Sequence, residues 1–301
     1  MTTRRSVRAA TIAALAALVV GAVAAPGASQ AAPPPPPPPS VIAVSGHAVG
    51  IFSQLQFDDE VVDTSAVLEA MRAGDSAALE ELLTSAGIDI SGEGDVTPQV
   101  VETLTVGPEP EVTLPPEGGG PFTDSLPSSG FGAPVDAQLT GPLAVSTEGA
   151  LGPAGYAAST ASIEEVNGEE FADLVFSADL VEVECRSDLP GGPTGSTRFV
   201  DGIDFFDDPL PELPEPNTVL VDEVLEIPLG AGVLRATLQL VGNEQTVGAN
   251  DITVVGARAF ALIEFLVDGV DPEFVSQTDT VIGETQCGVV PGVVLEPTFT
   301  G

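Results

Sequence analysis

The chain has 301 residues, 8 of them Lys or Arg and 45 Asp or Glu, for a formal net charge of −37 at pH 7. All eight bases are arginines, and Arg4, Arg5 and Arg8 lie in an acid-free first 32 residues, so the remainder sets five arginines against 45 acids. That balance excludes a nucleic-acid binder, which needs clustered Lys and Arg to displace counterions from phosphates, and argues against docking to anionic lipid headgroups; a hydrophobic content of 43% separates the chain from disordered acidic polymers.

Residues 1–32 read as a secretory signal peptide. Arg4, Arg5 and Arg8 form the charged region, Ala9–Ala25 is an apolar run of 17 residues, and the small residues up to Ala31 and Ala32 supply the cleavage site. The alternative is an uncleaved membrane anchor, for which the run is short. No Cys stands near the cleavage region, so lipid attachment at a new N-terminal Cys is excluded. Residues 33–40 begin with seven consecutive prolines, Pro33–Pro39. Such a run forms a stiff polyproline II rod of roughly 20 Å, read as a spacer, with a ligand for an aromatic-lined groove as the second reading.

The domain spans residues 41–290, followed by a tail at 291–301. Its first run, Val41–Phe57, alternates apolar and small polar residues at period two in places. Thr64–Ile88 breaks the pattern, being rich in Ala, Leu and Glu without Pro. There Gly74 closes one helix, Asp75 or Ser76 caps a second, and Gly87 closes it. Val67, Leu68 and Met71 give one apolar stripe and Leu79, Leu82 and Leu83 the other, so about residues 58–98 form a small helical insertion lying on the sheet. Farther on, Val181, Val183 and Cys185 share one strand face opposite Glu182 and Glu184. Leu234, Ala236, Leu238 and Leu240 alternate with Arg235, Thr237 and Gln239, and Ala257, Ala259, Ala261, Ile263 and Phe265 with Arg258, Phe260, Leu262 and Glu264. Gly191-Gly192-Pro193, Asp207-Asp208-Pro209 and Leu213–Asn217 punctuate these runs. The fold class is therefore mainly β, an antiparallel β-sandwich-like domain with a small helical insertion.

The block Leu104–Gly120, with its glycine-proline, Thr-Leu-Pro-Pro and triple-glycine features, resembles the choice-of-anchor P family of secreted actinobacterial proteins. Leu143–Gly149, Tyr156–Ile163, Cys185 followed by Thr194–Thr197, Pro216–Thr218, and Gly242–Gln245 before Asp251–Val255 resemble later blocks of that family in the same order. The resemblance covers about residues 41–290 and implies an exported protein of unestablished activity. Asp58 to about Pro98 departs from the pattern as an insertion, and no hydrophobic tail or basic terminus marks an anchor before Gly301.

Cys185 and Cys287 are the only cysteines; in an exported chain an even pair reads as a disulfide, the alternative being two buried free thiols. The bridge would close a loop of roughly 100 residues, for about 4–5 kcal/mol in the chain-entropy model. His47 is the only His and lies within a predicted strand, as a strand-face residue rather than a catalytic base; no Gly-x-Ser-x-Gly elbow and no Lys are present. Paired carboxylates are abundant, but with no Trp and Tyr156 alone there is little aromatic platform for a glycoside hydrolase. Two acidic clusters, Asp201, Asp204, Asp207 and Asp208, and Asp268, Asp271 and Glu273, are candidate Ca²⁺ ligands in Gly-containing turns; the other reading is a solvated surface turn. The sequence thus leads to an acidic extracellular or cell-envelope-associated structural or interaction protein without evident catalytic machinery. A Ca²⁺-dependent binding module and a carboxylate-based glycoside hydrolase are the alternatives. The expected partner is an extracellular or envelope component.

Overall fold

The computed structural model describes residues 39–57, 64–85, 87–88, 101–132, 137–166, 176–267 and 272–292. The signal peptide, the polyproline run up to Pro38, the tail beyond Gly292, and Asp268 and Asp271 lie outside these described residues.

Alternation dictates strands, and strands dominate. In chain order they are β1 (Ser40–Phe57), then two helices, α1 (Thr64–Ala73) and α2 (Ser76–Ser85), then β2 (Glu102–Leu114), β3 (Gly119–Leu126), β4 (Ser129–Phe131), β5 (Ala137–Thr140), β6 (Leu143–Ala150), β7 (Tyr156–Val166), β8 (Phe176–Asp188), β9 (Gly192–Val200), the two-residue β10 (Ile203–Asp204), β11 (Thr218–Leu229), β12 (Gly232–Val247), β13 (Asp251–Val267) and β14 (Glu273–Gly292). One antiparallel sheet runs β11-β12-β13-β14-β1-β2. A second runs β10-β8-β7-β6-β3, with β9 also paired to β8, and β4-β5 form a small ribbon. The two sheets pack face to face around one core, as an antiparallel sandwich with a helical insertion. In β8, β12 and β13 the apolar sets named above are buried and face that core.

The helical insertion forms as its punctuation requires. Gly74, at φ 67°, ends α1 with paired bonds from Gly74 N to Met71 O (3.1 Å) and Asp75 N to Ala70 O (2.9 Å). Asp75 Oδ1 then accepts from Ala78 N at 3.1 Å and caps α2. Gly87 and Ile88 repeat the closure on Thr84 and Leu83. Val67, Leu68, Met71, Leu79 and Leu83 are buried, and the pair abuts β11.

The partial periodicity of β1 has a structural cause. Val44, Gly46, Ala48 and Gly50 are buried on the core side, and then Ile51, Ser53, Leu55 and Phe57, so the buried set changes parity at Gly50. β14 changes at Gly283 and β13 at Gly256, while β12 changes between Gly242 and Asn243. The pairs Val49↔Glu284, Ile51↔Ile282, Val255↔Glu284, Ala257↔Ile282, Gly242↔Ala257 and Glu244↔Val255 put these residues in line across four strands without a register slip. Gly283 has φ +68° and Asn243 φ +53°, a left-handed backbone that Gly and Asn tolerate best. The second sheet lays aliphatic side chains into this line. A Cβ on Gly256 or on Gly283 would lie 2.5 Å from Val183 Cγ2, and one on Gly50 3.1 Å from Leu143 Cδ2.

Cys185 of β8 and Cys287 of β14 form the expected disulfide, linking the two sheets with Cα atoms 5.9 Å apart across 102 residues of sequence. Stacked sheets ordinarily sit about 10 Å apart, so the sheets close in here. Three of their four in-register neighbours are small, Gly46 beside Cys287 and Ser159 and Gly195 beside Cys185, while Ile252 of β13 flanks Cys287 on its other side. A Cβ on Gly46 would stand 2.3 Å from Thr147 Oγ1, and one on Gly195 2.3 Å from Val254 Cγ2. Hydrogen bonds cross the same gap, from Ser159 Oγ to Gln286 O (3.0 Å) and from Gln245 Nε2 to Gly195 O (2.9 Å).

Gly256→Val and Gly283→Ala are each expected to lower unfolding stability by about 1–3 kcal/mol, through overpacking against Val183 and, at residue 283, backbone strain; urea titration of the variants checks this. Replacing both cysteines by Ala is expected to cost about 2–5 kcal/mol, and the denatured, unreduced wild type to show no free thiol; two thiols per chain would contradict the bridge.

Candidate functional site

The acidic residues singled out in the first cluster share one loop between β9 and β11. Asp204 opens it: its Oδ1 accepts from Phe206 N (2.8 Å) and Asp208 N (2.9 Å), and its own N–H donates to Asp208 O (2.9 Å). This is the local trapping of backbone donors that suits Asp to turns. Asp207, at φ +64°, pairs with Arg72 of α1, whose guanidinium also lies 5.7 Å from the Phe205 ring centroid. Asp201 and Asp208 are exposed. Asp204 and Asp208 border a depression of about 440 Å³ floored by Phe206, Leu220 and Val221, and Asp222 and Glu223 of β11 complete its acidic rim. Sequence reading missed those last two because β11 follows the loop by nine residues of chain; their signal is a pair of adjacent acids interrupting an apolar strand. Among the described residues, no group of three His, Cys, Asp or Glu side chains is placed to hold a metal ion. Glu273 begins β14, away from the first cluster in sequence and paired in register with Phe265.

His47 sits on β1, where its Nε2–H donates to Glu111 Oε1 of the neighbouring edge strand β2 at 2.8 Å. Thr113, His47, Gln286 and Thr253 form one row across β2, β1, β14 and β13. With Ser45 and Asp251 they line a shallow trough of about 390 Å³ over the backbone of Cys287. Among the described residues, no Ser or Thr hydroxyl bonds to the His47 ring, so the geometry assembles no nucleophile–base pair there.

The cations are distributed one by one. Arg186 meets Asp188 at 3.2 Å, Arg198 meets Glu212 at 2.9 Å and Glu182 at 3.1 Å, Arg235 meets Glu226 at 2.9 Å, and Arg258 meets Glu244 at 3.3 Å. With Arg72, all five arginines beyond residue 32 are ion-paired. Hydrogen bonds to Glu212 and Glu182 push the Arg198 guanidinium above even its ordinary value. These pairs are largely exposed, and each is worth little to stability. Their consequence is electrostatic: among the described residues each arginine is matched locally, and the surplus charge is negative.

Tyr156, the single tyrosine, lies on β7 facing away from the core. Its hydroxyl donates to Glu148 Oε1 at 3.0 Å, and the Arg186 guanidinium stacks 4.3 Å from its ring centroid. The register Tyr156↔Asp188 and Ala158↔Arg186 brings these side chains together from three strands. The hydrogen bond to the Glu148 carboxylate holds the phenol above its ordinary value of 10.0, with burial and the Glu148 charge adding to the shift and Arg186 opposing it. Because the chain has one Tyr and no Trp, an ultraviolet alkaline titration reads this group alone. The phenolate absorbance is expected to rise at higher pH than for a free tyrosine, and Glu148→Gln to move that rise back toward neutrality; coincident curves for the two proteins would contradict the pairing.

The chain matches no protein-family model, no curated protein and no solved structure.

Proposed function

We propose that this protein is an exported acidic interaction module that works outside the cytosol, free or on the cell envelope, with an extracellular or envelope component as its partner and binding rather than catalysis as its role. The observation that carries the reading is the inter-sheet Cys185–Cys287 bridge in a chain opening with an Arg-rich, apolar, small-residue leader, since structural disulfides persist in oxidising compartments. Three further features support it. Local matching of all five arginines leaves a negative surface that favours solubility and rejects polyanions. The sheet edges carry residues that discourage strand-to-strand self-association: Pro108 and Pro110 on β2, Pro121 and Asp124 on β3, and Asp222 and Glu223 on β11. Among the described residues, no helix is long and apolar enough to cross a membrane. The resemblance to the choice-of-anchor P family agrees with export, and membership in that family is part of the proposal.

Fractionation of the producing cell tests this directly. The expected product lies outside the cytosol, begins after Ala31 or Ala32 and carries the bridge; an unprocessed chain found only inside the cell with two free thiols would overturn the reading. Self-repulsion among the surplus carboxylates adds a physical check. The melting temperature is expected to rise as the Debye length shrinks from about 30 Å to about 3 Å with added salt, and a flat response would contradict it.

A further inference from the structure

The crossing from β10 to β11 contains Asp208-Pro209, one of two Asp-Pro bonds in the chain, the other being Asp271-Pro272. An Asp carboxyl can reach its own backbone carbonyl carbon through a five-membered ring, which makes the attack intramolecular, and the proline nitrogen departs as a secondary amine. This loop adds specific features to that intrinsic chemistry. The Asp204 N–H donates at 2.9 Å to the Asp208 carbonyl oxygen, the atom on which negative charge develops during attack, so a backbone donor already faces it. Asp204 Oδ1 holds the Asp208 and Phe206 N–H groups, so residues 204–208 keep that donor in place. Leu210 N to Gly202 O at 2.8 Å and the Ile203↔Pro209 bridge clamp the segment from both sides. Asp208 itself is exposed, so water and protons reach its carboxyl. The charged groups around it are Asp201, Asp204 and Asp207 in the same loop, Arg72 from α1, and Asp222 and Glu223 from β11.

We infer that Asp208-Pro209 is a self-processing bond, cut by its own aspartate in mild acid. The Asp208 carboxyl oxygen bonds to the Asp208 backbone carbonyl carbon, the C–N bond to Pro209 breaks, and the carboxyl proton passes to the proline nitrogen. The cyclic anhydride left on residue 208 then takes up one water and opens to two carboxyl groups. The fold is arranged to survive the cut. The first fragment keeps β1–β10 with Cys185 and the second keeps β11–β14 with Cys287, so the disulfide and the full β1–β14 pairing hold the fragments together. The product is a two-chain protein with a new amino terminus at Pro209.

The test uses the exported protein, folded, in a buffer about one unit above the ordinary Asp value, beside the same protein denatured in guanidinium at that pH. Mass spectrometry follows both Asp-Pro bonds. The folded protein is expected to be cut at 208–209 several-fold faster than the denatured chain. It should run as one species without reductant and as two fragments with it. Pro209→Ala is expected to abolish the cut. Asp204→Ala is expected to bring it down to the denatured rate, while Asp204→Asn, whose amide oxygen still accepts from the backbone, retains it; circular dichroism confirms that each variant is folded. Cleavage at 208–209 no faster in the folded protein than in the denatured chain, or a rate unmoved by Asp204→Ala, would overturn the inference.

Discussion

The structure depends on one constraint: two sheets that would ordinarily lie about 10 Å apart must come within disulfide reach at a single point. A bridge needs Cα atoms within about 7 Å, and here they are 5.9 Å apart. Three of the four positions beside the cysteines are small, Gly46, Ser159 and Gly195, the fourth being Ile252 of β13, and the hydroxyls of Thr147 and Ser159 bond to each other at 2.9 Å in the narrowed gap. Buried polar groups are costly when unpaired, so the Ser159 hydroxyl, which also reaches the backbone of β14, is what makes a polar pinch tolerable.

The constraint propagates along the first sheet. Four residues from the pinch along β1 and β14, the line through Gly50, Gly283, Gly256 and Asn243 shifts which residues of each strand face inward. A single strand making such a shift would slip its register; these four make it together and stay aligned with one another at the line, whereas the outer neighbour β2 slips against β1 between Ile51 and Ser53. Val183 fills the space that the missing side chains of Gly256 and Gly283 leave, and Pro110 of β2 together with Leu143 that of Gly50. Beyond the line the inward positions of β14 are Ile282, Thr280, Thr278 and Ser276, with Ser53 Oγ and Thr280 Oγ1 bonded at 2.6 Å, so past Ile282 small and hydroxylated residues continue the close approach.

This explains which parts of the fold are legible in the sequence. β8, β12 and β13 carry uninterrupted alternation over the stretches named above, and the helical pair carries its own stop and start residues in Gly74, Asp75 and Gly87. β1 and β14 read poorly because a parity shift looks like lost periodicity to any fixed period of two, and because Ser, Thr and Gly at core positions look like surface. The pairing of the cysteines was legible from their number and the leader alone. At the loop, the acids were visible but their roles were not. Asp204 and Asp207 spend their carboxylates on Phe206, Asp208 and Arg72, and Asp222 and Glu223 join the same depression from another strand. The His47–Glu111 and Tyr156–Glu148–Arg186 contacts were equally hidden, since pairing across strands depends on register, which composition does not carry.

Charge and staple act on each other. A chain with five arginines against 45 acids beyond its first 32 residues repels itself when compact, and its ion pairs are exposed ones that return little. A covalent link between the sheets restricts the expanded state that self-repulsion favours. For a closed loop of about 100 residues the chain-entropy model puts that restriction at about 4–5 kcal/mol, more than several exposed ion pairs combined. The acidic surface is therefore sustainable because the core is tied across its two sheets. Of the surface pairs, the Arg72–Asp207 contact has a geometric consequence as well: it ties the helical insertion to the acidic loop, so two parts of the chain that no strand pairing connects are held in one place.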